Sequence, residues 1–417
     1  MRVAMVLGFL PTYVRTEVEA LGALGVETEI WLPGTDRYID SITGGDLPPG
    51  SVQGGSGGEL VTGSPTPGQA VRSLLSTTRA FLVHPRPMAG LAAEAFRVSG
   101  PALMAYGARL ADALAKNPPD RIHSHFAWEP AAVAMWASRM LGIPWSLTVH
   151  AADIFTPRRP EAVGLMLSKA CPLFTISDFD RLFIMDRWGA GAGSGAVVNR
   201  LGIEQEGLPE WSGMGSGLIW CMASGLADKK GVGVLLSACA VMKAGRSGWR
   251  CVIAGSDRNG DRLRMYREKA SGMGLDGFVE FPGALPSDEV LAGTARAAVA
   301  VLPCVKAPDG DMDGIPIALM EAMGMGVPVV STRLSGVPEL IEDGVSGILT
   351  DPGDPSALAA VLLRLLDDPE GSSSLGTAAR ARISGHFSAS GHARRMIDSW
   401  RAADACGQPA GGASPGS

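Results

Sequence analysis

Length, composition and charge exclude several classes of protein before any motif is considered. The chain has 417 residues, of which 46% are hydrophobic, so it is long enough for two or three domains with buried cores. A formal net charge of -6 gives no reason to expect nucleic acid as the main partner, and no run of about 18 apolar residues predicts a membrane span.

The N-terminus and the cysteines predict a cytoplasmic location. Residues 1–7 lack the pattern of a cleaved signal peptide. The six cysteines show neither the spacing of a metal site nor that of a disulfide framework. We therefore expect a cytoplasmic protein in which the cysteines are small core side chains.

Short apolar runs alternate with amphipathic segments along the chain, which predicts parallel β-sheets with helices on both faces. In the first half, the predicted strands are residues 3–7, 26–31, 121–124, 145–149, 173–176 and 196–198. In the second half, they are residues 218–223, 250–254, 278–281, 298–302 and 327–331. This pattern predicts an α/β fold of two doubly wound Rossmann-like domains facing across a cleft, with ligands at the carboxyl ends of both sheets.

Domain boundaries are predicted in segments rich in Gly and Pro. The segments, in order, are an N-terminal domain at 1–205 with a long mobile loop at about 44–68, a linker at 206–217, a C-terminal domain at 218–388, a helix at 389–405 and a disordered tail at 406–417. In folds of this kind the helix at 389–405 crosses back to the N-terminal domain.

Two features of the N-terminal domain allow a structural and a functional interpretation. Gly8 ends the first strand, where an ordinary turn needs a glycine about as often as a phosphate site does. Arg72 and Arg79 are seven positions apart and share one face of a predicted helix. That face is either simply solvated or an acceptor-side basic surface for an anionic substrate or a membrane.

Histidines stand at the ends of two neighbouring predicted strands. His123 and His125 have a spacing that suits a metal, but no third ligand follows at a fitting distance in the sequence, which favours a structural or cleft-lining role. His150 ends the next strand at the side where α/β sheets bind ligands, and Asp153 follows three residues later. The residues alone favour a structural role for such a histidine.

The stretch from Asp313 to Gly326 is the most informative in the chain. Pro316 suits the first position of a helix, so residues 317–325 are predicted to be helical, with Gly326 ending the helix. Asp313 and the following backbone amides, those of Gly314 and Ile315, would lie at the positive end of the helix dipole, where an anion or sugar hydroxyls bind.

Glu321 lies eight positions after Asp313, which corresponds to roughly 12 Å along a helix axis. That is the length scale of a nucleotide sugar. The alternative is that Asp313 only caps a helix and Glu321 is a solvated surface residue.

This segment resembles the paired-acid motif of the retaining glycosyltransferases of the GT-B fold, in the family called group 1 or family 4. Further residues match that family in the expected order: Lys229-Lys230-Gly231-Val232, Ser335-Gly336-Val337-Pro338-Glu339, Gly344, Gly347 and Asp351-Pro352-Gly353-Asp354. The likeness covers nearly the whole C-terminal half. One position departs from it, because Gly225 stands where the family usually has an Arg that binds the donor diphosphate together with the Lys matching Lys230.

The resemblance implies a nucleotide diphosphate sugar, a UDP-sugar or GDP-sugar, as the donor. Glu321 would bind the ribose hydroxyls, Lys230 the diphosphate, and Asp313 the sugar. Lys230 is expected to begin a helix after a strand, from where it can reach an anion. The predicted donor-binding set is Gly8, Gly225, Lys230, Leu285, Asp313, Gly314, Ile315, Pro316 and Glu321. The predicted catalytic residues are His150, Lys230 and Asp313, and the predicted acceptor side comprises His125, Asp153, Arg72 and Arg79.

The predicted reaction is sugar transfer to a small-molecule or saccharide acceptor by same-face substitution, without a metal or a bound cofactor. Two alternatives remain open: a sugar-nucleotide epimerase or phosphorylase of the same fold, and a catalytically weak sugar-nucleotide-binding subunit, which Gly225 favours. The sequence leaves open the acceptor, the attacking atom, the donor base and the oligomeric state. Peripheral membrane contact is compatible with it.

Overall fold

The fold is that of a computed structural model, which describes residues 1–8, 10–31, 42–43, 94 and 101–406. Four sequence predictions lie outside these residues: the loop at about 44–68, Arg72, Arg79 and the tail from residue 407 onward. None of the helices in the described ranges combines the length and the apolar character that crossing a bilayer requires.

The described residues divide into two compact units. Unit 1 contains the chain up to Arg200 together with the residues from His392 onward, and unit 2 contains Leu201–Gly391. Unit 1 is therefore assembled from both ends of the sequence.

Each unit is built on one sheet. The strands of unit 1 are β1 (Arg2–Val6), β2 (Glu27–Trp31), β3 (Ile42–Thr43), β4 (Arg121–His125), β5 (Trp145–Val149), β6 (Leu173–Thr175) and β7 (Val197–Val198). Those of unit 2 are β8 (Leu218–Met222), β9 (Arg250–Ala254), β10 (Val279–Gly283), β11 (Val299–Val301), β12 (Val329–Thr332) and β13 (Ile348–Thr350). All predicted strands are confirmed to within a residue or two. The short strands β3 and β13 were not predicted.

Most helices lie between the strands, and the last three follow β13. The helices are α1 (Thr12–Ala23), α2 (Pro101–Leu114), α3 (Glu129–Leu141), α4 (Ala152–Phe155), α5 (Pro160–Lys169), α6 (Asp178–Trp188), α7 (Ala190–Gly193), α8 (Val232–Gly245), α9 (Asp261–Gly272), α10 (Ser287–Ala295), α11 (Ile317–Met325), α12 (Val337–Leu340), α13 (Pro355–Asp367), α14 (Pro369–His386) and α15 (Ala389–Ala405). Two short 3₁₀ turns, Ser224–Leu226 and Asp228–Lys230, precede α8.

The strand order places a topological switch point in each sheet. The order is β3-β2-β1-β4-β5-β6-β7 in unit 1 and β10-β9-β8-β11-β12-β13 in unit 2. All neighbouring pairs are parallel except β2 and β3. Successive strands are added toward one edge of the sheet up to β3 or β10 and toward the other edge from β4 or β11, so the strand order reverses between β1 and β4 and between β8 and β11. Each sheet therefore has the crevice at which doubly wound folds bind ligands.

The terminal helix completes the core of unit 1. Its Met396 and Trp400 are fully buried in one cluster with Val14 and Leu21 of α1 and Phe174 of β6. Trp400 Nε1 also donates a hydrogen bond of 3.0 Å to Ser146 Oγ on β5. Burying these apolar side chains stabilises unit 1 by holding α15 against α1 and the sheet.

Residues 206–217, predicted as a linker, pack on unit 2. Trp211 Nε1 donates to the carbonyl oxygen of Ala297 at 2.8 Å, and the amide of Ser212 donates to that of Ala295 at 2.9 Å. A Cβ on Gly213 would overlap the backbone of Ala297. Gly213 is therefore required by close backbone packing of this segment. The division between the units falls earlier, after Arg200.

Candidate functional site

In unit 2, the predicted diphosphate residue Lys230 lies in the 3₁₀ turn that follows β8. We predicted Lys230 at the start of a helix, but α8 begins two residues later, because Gly231 adopts a left-handed conformation with φ 68°. A Cβ on Gly231 would overlap the carbonyl oxygen of Pro303, which follows β11. The glycine thus lets the turn approach the segment after the neighbouring strand.

That approach brings two lysines against two aspartates. Lys230 Nζ lies 2.7 Å from Asp313 Oδ2, and Lys229 Nζ lies 3.5 Å from Asp313 Oδ1 and 2.9 Å from Asp311 Oδ2. Side-chain exposure is only 11% for Asp313 and 15% for Lys230. The segments after the adjacent strands β8 and β11 therefore form a partly buried cluster of opposite charges.

The electrostatics keep Lys230 and Asp313 charged. Burial alone lowers the pKa of Lys230, but Asp313 outweighs it, and the pKa ends above its usual value. Burial alone raises the pKa of Asp313, but Lys230 and Lys229 outweigh it, and the pKa ends below its usual value. The Cys304 thiol lies 3.7 Å from Asp313 Oδ2, and burial raises its pKa, so it stays neutral.

Helix α11 has the predicted bounds. It spans Ile317–Met325, and Gly326, with φ 83°, ends it. Pro316 was predicted at the first helical position, but it lies one residue earlier with an extended ψ of 118°, which is typical of a residue preceding a helix. Gly314 and Ile315 are buried beside it. The backbone from Asp313 to Pro316 thus leads directly into the N-terminus of α11.

Glu321, on α11, is partly buried, and its carboxylate has no hydrogen bond or ion pair with another described residue. Burial raises its pKa from 4.5 to about 7. A ligand that donates hydrogen bonds to this carboxylate stabilises its ionised form. Glu321 is therefore not the freely solvated residue of the alternative interpretation.

Gly225 has φ 68°, and the next residue, Leu226, also has a positive φ of 45°. Arg262 of α9 reaches this turn, because its Nη1 lies 3.5 Å from the Leu226 carbonyl oxygen and its Nη2 3.7 Å from Asp228 Oδ2. A guanidinium is therefore present next to the position where the family's usual Arg is replaced by Gly225.

Two other predicted donor residues lie apart from this charge cluster in the sequence. Leu285 is partly buried between β10 and α10. Gly8 is exposed after β1, and a Cβ there would lie 3.2 Å from Pro130 Cγ. Gly8 belongs to unit 1, and the other predicted donor residues belong to unit 2.

In unit 1, the predicted residues His125 and His150 meet in a buried cluster with two residues that we did not predict. His125 Nδ1 lies 3.1 Å from His150 Nε2, and His125 Nε2 lies 3.1 Å from Glu17 Oε1. Glu17 Oε2 lies 2.7 Å from His392 Nε2 on α15. His392 Nδ1 lies 2.9 Å from the carbonyl oxygen of Arg200. These contacts form one continuous chain from the end of β5 to the terminal helix.

Asp153 holds the end of β5 in place. Its carboxylate accepts hydrogen bonds from the backbone amides of Ala127 at 2.9 Å, Ala151 at 2.9 Å and His150 at 3.1 Å. Burial raises the pKa of Asp153, although these amides oppose the shift. The contacts join the segment after β4 to the segment after β5, so Asp153 orients the backbone on which His150 stands.

Burial keeps His123 and His150 neutral. It lowers the pKa of each well below the usual value, because the charged form of the ring would lose its hydration. For Glu17, burial alone would raise the pKa, but His125 and His392 outweigh it, and the pKa ends well below the usual value. Unit 1 thus buries an ionised carboxylate among histidines.

Glu17, more than 100 positions before the histidines, is a third group beside His123 and His125 that their local sequence does not show. Ligand atoms of Glu17, His123 and His125 lie within 4.8 Å of one another, a grouping that a metal could use. However, His123 Nδ1 lies 2.8 Å from Ser146 Oγ and its Nε2 3.3 Å from Thr148 Oγ1. A metal would have to displace these hydrogen bonds as well as those of His125.

Sequence periodicity offered a signal for Glu17 and His392. Glu17 lies three residues after Val14 and four before Leu21, on the buried face of α1. His392 lies four residues before Met396 on the buried face of α15. A charged or titratable residue within an apolar stripe indicates a buried polar interaction. The partner itself could not be read from the sequence, because Glu17 and His392 are 375 positions apart.

Backbone strain marks the same regions. Three non-glycine residues of the described chain have positive φ: Phe126 (62°), Leu226 (45°) and Ser335 (51°). They lie next to His125, next to Gly225 and at the start of the Ser335–Glu339 match. Strain of this kind costs about 1–3 kcal/mol per residue and concentrates at functional sites.

Comparison with known proteins places the chain in a family. Residues 217–368 match the family model described as "Glycosyl transferases group 1", and residues 10–192 match the one described as "Glycosyl transferase 4-like domain". Residues 217–368 are a group 1 glycosyltransferase domain, and residues 10–192 are a glycosyltransferase 4-like domain. This confirms the family predicted from the Asp313–Gly326 segment, and the two-unit α/β architecture confirms the predicted GT-B fold.

Individual relatives match over part of their length. The chain is similar to the amylovoran biosynthesis glycosyltransferase AmsK of Erwinia amylovora, at 38% identity over 46% of each chain. It is also similar to a GDP-mannose-dependent alpha-(1-6)-phosphatidylinositol monomannoside mannosyltransferase of Mycolicibacterium smegmatis, at 31% identity over 42% of this chain and 45% of the relative. The matches thus span about half the length of these curated relatives.

A solved structure matches the fold over nearly its whole length. HepE of Anabaena, solved in complex with UDP-glucose, has a TM-score of 0.68 at 16% identity, and the match covers 96% of this chain and 100% of HepE. At that identity, the likeness shows the fold alone.

Proposed function

We propose that this protein transfers a sugar from a nucleotide diphosphate sugar to a saccharide or small-molecule acceptor, with retention of configuration and without a metal. The observation that carries the proposal is the Lys230–Asp313 pair, which lies at the switch point of unit 2 and leads into α11 with Glu321. Family membership supports the reaction class.

In this proposal the donor is held by three groups of unit 2. Glu321 accepts hydrogen bonds from the ribose hydroxyls, Lys230 neutralises the diphosphate, and Asp313 with the backbone to Pro316 binds the sugar. Negative charge accumulates on the leaving phosphate as the glycosidic bond breaks, so a cation there stabilises the transition state most. The leaving phosphate takes the acceptor proton while the acceptor attacks the same face.

His150, with His125 and Asp153, is assigned to the acceptor side. His150 follows the carboxyl end of β5, one strand away from the switch point between β1 and β4, and a histidine at this edge of the sheet is suited to hold a sugar hydroxyl. The cytoplasmic location also remains a proposal.

The donor is tested first by thermal shift with UDP- and GDP-sugars, because a ligand that binds only the native state raises the melting temperature. Both nucleotides are included, since the named mycobacterial relative is GDP-mannose-dependent and HepE was solved with UDP-glucose. Transfer is then followed with the active donor, and the anomeric configuration of the product is read by NMR. Donor turnover that survives unchanged in both Glu321→Ala and Lys230→Ala would refute the assigned site.

Gly225 favours one alternative, a sugar-nucleotide-binding subunit with weak catalysis. The expected result for that alternative is a donor that raises the melting temperature with no turnover for any acceptor. Turnover by the purified chain alone would exclude it.

A further inference from the structure

The buried chain of contacts in unit 1 determines which ring nitrogens carry protons. His392 Nδ1 faces the Arg200 carbonyl oxygen, which can only accept a hydrogen bond, and His392 Nε2 faces the carboxylate of Glu17. Both ring nitrogens of His392 therefore donate, and His392 is an imidazolium paired with an ionised Glu17. The pair has no net charge, which suits its burial.

The second carboxylate oxygen of Glu17 contacts His125. With Glu17 ionised, His125 Nε2 must donate to Oε1, at 3.1 Å. His392 already balances the charge of Glu17, so a second cation at the buried His125 would have no counter-charge, and we take His125 as neutral. Its unprotonated Nδ1 then accepts from His150 Nε2 at 3.1 Å. The opposite arrangement would place the lone pair of His125 Nε2 against a carboxylate.

We propose that Glu17, His125 and His392 are positioning residues that hold His150 in its Nε2-protonated form, leaving Nδ1 as the nitrogen that accepts a hydrogen bond from a sugar hydroxyl. The proposal rests on the proposed function for the identity of that ligand, but the protonation pattern itself is independent of it. It also assigns the terminal helix a part in the chemistry of unit 1.

Packing around His150 supports a fixed ring. The ring centroid of His150 lies 4.3 Å from that of Phe126 and 5.1 Å from that of Tyr13. His150 is 4% exposed, and burial lowers its pKa well below the usual value, so the ring is neutral. The titratable groups around it, taken over all packed elements, are Tyr13 and Glu17 of α1, His123 and His125 of β4, Asp153 of α4 and His392 of α15.

The protonation pattern is measurable without any substrate. The chain contains six histidines, so a long-range ¹H–¹⁵N spectrum of the imidazole rings is simple enough to assign with single substitutions. At pH 7 we expect His150 and His125 as Nε2-protonated neutral rings and His392 as a doubly protonated ring. A wild-type spectrum with His150 protonated at Nδ1, or with a neutral His392, overturns the proposal even if no variant folds.

Two variants separate positioning from structural support. In Glu17→Gln, we expect His392 to become neutral and His150 to show a mixture of tautomers, with kcat/KM for transfer about 10-fold lower, as for loss of one hydrogen bond. Ser146→Ala is the matched control. It removes the partner of His123 Nδ1 and Trp400 Nε1 in the same core, but Ser146 takes no part in the series of contacts that joins His150 to His392. It should lower the melting temperature and leave the His150 tautomer unchanged.

The outcomes distinguish this inference from the proposed function. If the spectra are as expected but the protein transfers no sugar, the proposed function is refuted and the protonation pattern stands. Transfer activity with a His150 tautomer that is insensitive to Glu17→Gln would keep the function and overturn the inference.

Discussion

Lys230 Nζ and Asp313 Oδ2 lie 2.7 Å apart, although 83 positions separate the two residues. Each follows one of the adjacent strands β8 and β11, so the switch point of the sheet brings them together. In the proposed mechanism, the donor diphosphate must compete with Asp313 for Lys230.

Asp313→Asn should therefore separate nucleotide binding from sugar transfer. Removing the charge releases Lys230, so UDP or GDP alone should bind at least as tightly as to the wild type, whereas transfer should fall about 100-fold or more because the sugar contact is lost. Isothermal titration and initial rates measure the two effects. Lys230→Ala should weaken both, and Lys229→Ala is the neighbouring control with a smaller effect on rate. Weaker nucleotide binding in Asp313→Asn would contradict the competition.

Glu321 should make donor binding depend on pH. Its pKa in the free protein is raised to about 7, and ribose hydroxyls favour its ionised form, so binding should weaken as the pH falls and Glu321 takes up a proton. If only the ionised form binds, the donor Kd should rise about tenfold between pH 8 and pH 6.

Glu321→Gln is the control for that pH dependence. It should bind the donor weakly at every pH, with no change in Kd over this range. It should not melt earlier than the wild type at pH 8, because it removes a buried charge. A wild-type Kd that is constant from pH 6 to pH 8 would exclude this role for Glu321.

Arg262 should supply part of the positive charge missing at Gly225. Its guanidinium contacts the turn that contains Gly225 and precedes Lys230, so Arg262→Ala should weaken nucleoside diphosphate binding about tenfold. Arg258→Ala, at an exposed position before α9, is the matched control and should change little. Gly225→Arg should restore binding in the Arg262→Ala background at a stability cost of about 1 kcal/mol, because residue 225 has a left-handed φ. Unchanged binding in Arg262→Ala would show that Arg262 is not the substitute.

Gly231 should tolerate substitution less than Gly260. Both glycines directly precede a helix of unit 2 with similar positive φ, 68° and 72°. At Gly260 a Cβ meets nothing within 4 Å, so Gly260→Ala should cost only the backbone strain, about 1 kcal/mol. At Gly231 a Cβ overlaps the Pro303 carbonyl, so Gly231→Ala should cost about 2–5 kcal/mol. Urea midpoints of the two variants test the difference, and equal midpoints would contradict it.

Much of the fold was predictable, because it depends on local patterns. Helix α11 has the predicted bounds since Gly326 follows it with a left-handed φ that only glycine adopts easily. The strands of both sheets follow from apolar runs. The predicted positions of Pro316 and Lys230 relative to their helices were wrong by a residue or two. Several backbone conformations fit these local sequences.

The partners within each site were not predictable in this way. The sequence pointed to Lys230, Asp313, His125 and His150 one at a time. It gave no means of placing Lys229 beside Asp311, Arg262 beside Leu226, or Glu17 between His125 and His392. These contacts depend on strand order, which single-sequence patterns do not determine.

The participation of α15 in unit 1 has a consequence for synthesis of the protein. The first 200 residues leave the ribosome without Met396, Trp400 and His392, which complete the core around α1 and pair with Glu17. The 191 residues from Leu201 to Gly391 must be made first, which takes roughly 10–40 s at common elongation rates. During that interval the apolar side chains of unit 1 that pack against α15 are uncovered, and Glu17 has His125 but not His392 as a partner. Unit 2 can therefore finish folding before the part of the chain that was synthesised first.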